Sequence, residues 1–316
     1  MWFLIKMKKK SDWTLVIPIW DSPNLVAVAL DGLARNSTYS HKIILSYSNI
    51  EEIEKFFPVA RSIDFGHSGW SPEKPTPNCF DRLKYKNCVD IINSLPFSNY
   101  PHEIQVVDNT EQELIMRERL GPLKIEEMIL SCYANIGIKM NNGLAQVTTE
   151  KVIPFWEDDY YPCPDWDERL MKTIEQFPGY SVYCCTLIRH WLDLTREPYP
   201  EHVNDPWEDF REMNCHSLFI NVPYPLSRDE WTEACEKLYR QDAYVELCGE
   251  RRKGFAFPLL LNTSLARQIA PVPENGEDPA LYFDSACGSA GLLKVVSKLS
   301  LIGNKMPVYY LAEELP

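Results

Sequence analysis

Thr14-Leu-Val-Ile-Pro-Ile-Trp-Asp-Ser-Pro-Asn24, then Leu25-Val-Ala-Val-Ala-Leu-Asp-Gly-Leu-Ala34, then His41-Lys-Ile-Ile-Leu-Ser46, is the stretch that decides the fold. Thr14–Trp20 is a short apolar run rich in β-formers and predicts a buried strand. Asp21–Asn24 is a turn and helix start. Leu25–Ala34 has helical spacing and ends at Asn36-Ser37, and His41–Ser46 predicts a second strand. Strand, helix and strand in so short a span form a βαβ unit, which requires a parallel pair and a right-handed crossover.

The alternation continues outward. Ile50–Phe57 reads as a helix stopped by Pro58, and Cys79–Leu95 as another. Between them Phe65–Pro77 is a Pro- and Gly-rich loop bearing Trp70, a segment expected at a site and not in the core. Glu103–Asp108 predicts a strand, Glu111–Leu120 a helix, Met128–Tyr133 a strand, and Lys151–Trp156 a strand that runs into Glu157-Asp158-Asp159. Trp166–Phe177 reads as a helix and Tyr180–Ile188 as a strand. Beyond these, His216–Val222 and Phe255–Leu261 are strand-like and Asp229–Arg240 helical. Pro271–Pro279 is a loop, and Ala280–Leu299 a helix interrupted by Gly288 and Gly291. Alternating strands and helices predict an α/β fold with a mixed, mostly parallel central sheet flanked by helices. No linker or repeat divides the chain, so a single domain is expected over 1–316.

Composition removes several function classes. Of 316 residues, 45% are hydrophobic and 24% charged, a globular profile and not a disordered one. Lys and Arg number 32 against 45 Asp and Glu, a net charge of −13, which disfavours a nucleic-acid binder working through broad electrostatics. No apolar run reaches the length of a membrane span. Met1–Lys10 places its apolar residues before its lysines, the reverse of a signal peptide, and reads as a frayed leader. The 10 cysteines include no C-x-x-C pair, so buried reduced thiols and a cytoplasmic location are expected. The six histidines show no zinc-site spacing, and no P-loop, dinucleotide or nucleophile-elbow motif occurs.

The sharpest chemical feature is Phe155-Trp156-Glu157-Asp158-Asp159. In an open α/β sheet, ligands bind at the carboxyl ends of strands. Three adjacent carboxylates repel one another unless a cation sits among them, and a hard divalent ion with oxygen ligands would do so, commonly with a phosphate. Trp156 reads as a core residue.

In this setting the chain resembles the glycosyltransferase family 2 enzymes with the GT-A fold. Thr14–Leu25 resembles the family's opening strand, which ends in Pro-x-Tyr-Asn before a helix. Asn135-Ile-Gly137 and Asn141-Asn-Gly143-Leu144, followed by Lys151–Asp159, resemble the family's Asn-x-Gly helix leading into its acidic strand. Pro162 and Asp165-Trp166 resemble the proline and helix that the family carries after its acids. The resemblance covers residues 12–190, the expected nucleotide-sugar-binding part, and leaves 191–316 as the acceptor side. The family's acidic motif begins with Asp, where Glu157 stands here. Val106-Val-Asp-Asn109 resembles the family's base-reading strand end, but the strand after the first helix ends in Ser46-Tyr-Ser48-Asn49. Residues 50–102 are therefore an insertion before the third strand, or else an extra βα unit precedes the usual second strand.

The resemblance implies a nucleotide-diphosphate sugar donor, a UDP-sugar favoured, and transfer to a hydroxyl acceptor on a glycan, a protein or a modified nucleobase. It implies Mn²⁺ or Mg²⁺ held by Asp159 with Glu157, with Asp158 or Glu157 reaching the ribose or sugar. Pro18, Trp20, Asp21, Ser48 and Asp108 complete the expected nucleotide-binding set. An inverting transfer needs a general base, and the resemblance places it at Asp284, Asp278 or Glu277, with Asp284 preferred. A base-modifying glycosyltransferase of nucleic acid and a degenerate GT-A-fold binding protein are the alternatives.

Overall fold

The structure, a computed structural model, describes residues 8–19, 23–57, 88–94, 100–120, 125–157, 160–179, 181–188, 217–219, 245–247, 258–274, 282, 285–287, 289–290 and 294–304. Strand β1 (Lys9–Pro18) is followed by α1 (Pro23–Asn36) and β2 (Tyr39–Tyr47), which pairs with β1 in parallel, Leu15 opposite Ile43 and Pro18 opposite Ser46. The predicted βαβ unit is thus present. Thr14 to Pro18 are all buried, as expected for a strand covered on both faces. Strand β1 begins five residues earlier than expected. Lys9 and Lys10 belong to it, and the Lys8 ammonium bonds the carbonyls of Ala34 and Ser37, so this end of the expected frayed leader is fixed.

The chain continues through α2 (Ile50–Glu54), α3 (Cys88–Ser94), β3 (Glu103–Asp108), α4 (Thr110–Leu120), α5 (Ile125–Ala145), β4 (Lys151–Ile153), β5 (Tyr160–Pro162), α6 (Trp166–Gln176) and β6 (Ser181–Ile188). Short β7 (Ser217–Phe219) and β8 (Val245–Leu247), then β9 (Leu259–Asn262), α7 (Thr263–Ile269) and β10 (Lys294–Asn304) complete the described elements. The 10-stranded sheet has the order β3-β2-β1-β4-β9-β6-β10-β5, with β7 on β6 and β8 on β10. Strands β3, β2, β1 and β4 are mutually parallel, as is the β6–β10 pair, while β9, β5 and β8 run antiparallel to their neighbours. The expected mixed α/β architecture is observed. The acid-ended strand β3 pairs with β2, one strand away from β1.

Two sequence expectations are corrected. Met128–Tyr133 lies inside the 21-residue helix α5, not in a strand. A short apolar run suits a buried helix as well as a strand, and the helical pattern around it continues for more than five turns. The expected helix Ala280–Leu299 breaks down, because Lys294–Asn304 is β10. Its β-branched Val295-Val296 follows Gly291, where helix propensity is weakest. Strand β5 and helix α7 were not expected. The Phe65–Pro77 loop with Trp70 and the expected helix Asp229–Arg240 lie outside the described residues.

The core lies around the first four parallel strands. Trp13, Trp156, Trp166 and Tyr160 are fully buried. Trp156 stands 4.8 Å from Trp166 and 5.9 Å from Tyr160, ring centre to ring centre, confirming it as core. Helix α5 packs closely across β1 and β2. A Cβ on Gly143 would fall 2.5 Å from Val16 Cγ1, so glycine is what permits this approach.

Candidate functional site

Because β1, β2, β3 and β4 are parallel, their carboxyl ends share one edge of the sheet, where the crevices of open α/β folds form. Four sequence-predicted residues are described there. Pro18 ends β1 and is buried opposite Ser46, and the Ile19 amide donates to the Ser46 carbonyl at 2.8 Å. Ser48 follows β2 and is buried. Asp108 ends β3 and is exposed. Its carboxylate accepts the Thr110 amide at 2.9 Å and the Tyr47 hydroxyl at 3.2 Å, so it shapes the turn into α4. Glu157 is half-buried. Its position follows from the chain after β4, which stays alongside β1, the Trp156 amide donating to the Val16 carbonyl at 2.9 Å.

Trp20, Asp21, Asp158, Asp159, Glu277, Asp278 and Asp284 lie outside the described residues. The Tyr160 amide donates to the Glu157 carbonyl at 3.1 Å, just beyond the acids. Among the described residues, no group of three or more His, Cys, Asp or Glu side chains could hold a metal ion.

The Asn141-Asn142-Gly143 motif on α5 binds three parts of this edge together. The Asn141 side chain accepts the Val272 amide at 2.8 Å and donates to the Val272 carbonyl at 2.9 Å, fixing the segment that leads toward Glu277 and Asp278. Asn142 donates to Asn109 Oδ1 at 2.7 Å, at the end of β3. Gly143 seats the helix on β1. Asn109, itself fully buried, donates to Ser46 Oγ at 2.9 Å, and the Ser46 hydroxyl donates to the Lys139 carbonyl at 2.7 Å.

Beneath this edge lies a buried charged cluster that the sequence reading missed: Glu113 and Arg117 on α4 with Lys139 on α5. Arg117 meets Glu113 Oε1 through Nε at 2.8 Å and through a terminal nitrogen at 2.7 Å. Lys139 stands 3.6 Å from Glu113 Oε2 and donates to the Ile19 carbonyl at 2.7 Å. Burial pushes the Glu113 carboxyl up, but Lys139 and Arg117, with the Ser48 hydroxyl, outweigh it and hold the group below its ordinary value. A Glu and an Arg four residues apart usually mark an exposed helix pair. The available signal was Lys139, a lone cation in the apolar run Ile136-Gly-Ile-Lys-Met140.

The opposite, amino-terminal edge holds a second buried polar network. His41 Nε2 and Asp167 Oδ2 are 2.8 Å apart, and the Asp167 carboxylate also accepts the amides of Thr38 (2.8 Å) and Tyr39 (2.9 Å). His41 Nδ1 meets Ser11 Oγ at 2.8 Å. His102 accepts the His41 amide at Nδ1 and donates from Nε2 to the Leu33 carbonyl, which fixes a neutral ring. Burial, reinforced by neighbouring His41, pushes the His102 imidazole down to about 3.

No protein-family model and no curated protein matches the chain. Similar solved structures include S. aureus TarS 1-349, with a TM-score of 0.48 and 11% identity over 95% of this chain and 62% of that one. TarS 1-349 in complex with UDP gives 0.45 and 12%, over 92% and 59%. TarS 1-349 in complex with UDP-GlcNAc gives 0.42 and 11%, over 92% and 57%. The chain spans less than two thirds of the length of these TarS chains, and likeness at this level carries no weight for site residues or chemistry. Among the described residues, no helix is long and apolar enough to cross a membrane.

Proposed function

We propose that this chain is a glycosyltransferase that takes a sugar from a nucleotide diphosphate, a UDP-sugar favoured, and passes it to a hydroxyl acceptor. The observation that carries the reading is one of position. Of the residues on which the family resemblance rests, Pro18, Asp108 and Glu157 lie at or just past strand ends on one edge of the parallel sheet, with Asn141 and Gly143 on the helix that braces them, while Pro162 and Asp165-Trp166 bond to Asn36, Ser37 and Thr38 at the opposite edge. Ligand sites of open α/β sheets form at the first of these edges, the carboxyl one.

In this reading Trp20 and Asp21, directly after β1, meet the nucleoside, and Ser48 and Asp108 border it. Asp158 or Glu157 reaches the ribose or sugar. Glu157 and Asp159 offer hard oxygen donors suited to Mn²⁺ or Mg²⁺, which when bound would stabilise the charge developing on the leaving diphosphate. Asp284, or Asp278 or Glu277 in its place, takes the proton of the acceptor hydroxyl and makes the transfer inverting. The Asn141 clamp on Val272 sets where the loop bearing two of these acids departs.

The test is donor hydrolysis by the full chain across a panel of nucleotide sugars, with Mn²⁺ and with excess EDTA. The panel includes UDP-GlcNAc, the nucleotide sugar in one TarS structure. Cleavage of at least one donor, lost in EDTA and in Asp159→Ala, is expected. Absence of cleavage and of nucleotide binding across the panel overturns the reading. Activity that survives EDTA overturns its metal.

A further inference from the structure

Asp108 is exposed at the end of β3, yet most of its hydrogen-bonding capacity is already taken. A carboxylate only accepts, with about two positions on each oxygen. Thr110 fills both positions on Oδ1, its amide donating at 2.9 Å and its hydroxyl at 2.5 Å. The hydroxyl is itself held: Thr110 is buried, and its Oγ1 accepts the Asn49 backbone amide at 2.8 Å. Tyr47, the register partner of Asp108 on β2, donates its hydroxyl to Oδ2 at 3.2 Å. A single acceptor position remains, on Oδ2. The donors come from the turn into α4 and from the neighbouring strand, so the carboxylate is oriented before any ligand arrives.

Nucleobases differ in what they offer to such a group. Uracil presents one ring N–H, flanked by two carbonyls. Hypoxanthine also presents one ring N–H. Guanine adds an exocyclic amine beside its ring N–H, a two-donor fork that calls for one acceptor on each carboxylate oxygen, as a guanidinium does in a bidentate pair. At Asp108 that fork meets an Oδ1 with no position left. Seating guanine there displaces Thr110 or leaves a donor unpaired once the base covers it, and an unpaired covered donor is costly.

We propose that Thr110 is a specificity-determining residue of the nucleotide site: by occupying Oδ1 it leaves Asp108 one acceptor, and so selects a base with a single N–H donor, such as uracil, over guanine. The role rests on the donor-site reading above, in which Asp108 borders the nucleoside, and supplies the group that turns a guanine nucleotide away.

Calorimetric titration of the full chain with UDP, IDP and GDP, all in Mg²⁺, tests it. IDP and GDP differ only in the guanine amine, so their comparison cancels ring size and stacking. IDP is expected to bind about tenfold or more tighter than GDP, with UDP also ahead of GDP. Thr110→Ala frees a position on Oδ1 and is expected to cut the IDP preference to less than about threefold. Thr110→Ser, which keeps the hydroxyl, and Tyr47→Phe, which frees Oδ2 alone, are expected to retain the preference. GDP binding as tightly as IDP in the wild type, or a preference that survives Thr110→Ala, overturns the proposal and leaves the donor-site reading standing. If UDP binds the wild type and neither purine does, Thr110→Ala decides: no gain in GDP affinity overturns the proposal. If Thr110→Ala does not fold, the wild-type comparison of IDP with GDP decides. A wild-type chain that binds no nucleoside diphosphate overturns the donor-site reading, and this role falls with it.

Discussion

The two edges of the parallel sheet both bury polar and charged side chains, and they treat them in opposite ways. At the amino-terminal edge Asp167 accepts from His41, Thr38 and Tyr39, both nitrogens of His102 are bonded, and Trp166 donates to Ser37 at 3.1 Å. At the carboxyl edge Asn135 Oδ1 and Asn49 Oδ1 are buried with no partner among the described residues. A closed network rigidifies, whereas a buried polar atom left without a partner calls for an explanation. The His41–Asp167 side of the sheet is the fully bonded one, and the proposed function lies at the β1–β4 carboxyl ends. Substitutions can break that assignment.

The largest expected effect is catalytic. Asp284→Asn removes proton acceptance but keeps shape, so it should cut turnover by about 10²–10⁴ while nucleotide binding survives. Asp167→Asn should leave turnover per folded molecule near normal. Steady-state kinetics normalised to folded protein measure both. If Asp284→Asn stays active and Asp278→Asn is dead, the base moves into the loop.

Stability should show the reverse pattern. Asp167→Ala strands His41 and two backbone amides in the core, and removing one partner of a buried pair typically costs about 3–5 kcal/mol. Denaturant unfolding measures it. A loss under about 1 kcal/mol would mean that this edge is not the structural one.

The same edge should make the fold acid-sensitive. His102 takes up its proton at about 3 in the folded chain, against an ordinary value of 6.5. Its pKa is depressed on folding, so its contribution to stability is complete above about 6.5 and is lost as pH falls toward about 3. Asp167 adds to this at lower pH. Burial opposes its charge, but bonds from His41 and the Thr38 and Tyr39 amides hold it below its ordinary value. Stability should fall by on the order of 1 kcal/mol per pH unit across the histidine window. His102→Gln, which cannot titrate, should flatten that slope. A wild-type profile level from pH 7 to 4 would sink the neutral, buried assignment.

Gly143 tests how the functional edge is braced. Gly143→Ala would push a methyl to 2.5 Å from Val16, and overpacking of this kind costs about 1–3 kcal/mol. The shift should loosen the Asn141 clamp on Val272, so acceptor transfer should fall more than donor hydrolysis.

These contrasts also mark what the sequence could disclose. The βαβ unit was legible because Thr14–Trp20 is a short run rich in apolar β-formers, His41–Ser46 carries the apolar core Ile43-Ile-Leu45, and Leu25–Ala34 has helical spacing. Glu103–Asp108 and Trp166–Gln176 were legible for similar reasons. Met128–Tyr133 was not, because a six-residue apolar run has no period of its own. Lys294–Asn304 was hidden because the helical spacing before Gly291 has no sharp stop and the apolar residues after it fit either period. Tyr160–Pro162 is too short to show alternation. At the site, strand-end residues such as Pro18, Asp108 and Glu157 could be placed by pattern, since position along a strand is a local property. The pairing of Glu113, Arg117 and Lys139 could not, because it depends on α4 and α5 meeting over the end of β1.

The smallest expected change in stability is at Asn135, and it bears most directly on the comparison. A buried amide with an unpartnered oxygen already bears part of its desolvation cost. Asn135→Ala removes that group, losing some packing and some unfavourable burial together, so stability should move by less than about 1 kcal/mol in either direction. A structural Asn in a closed network behaves differently: its loss strands a partner and costs more. If Asn135 instead awaits a ligand, the variant should keep its melting temperature yet bind the nucleotide donor more weakly, by about tenfold for one lost hydrogen bond to a buried partner. Melting curves with and without UDP separate the cases. An apo melting temperature that drops by many degrees would show that Asn135 belongs to a closed network after all. The contrast between the two edges would then fail at the residue where it is sharpest.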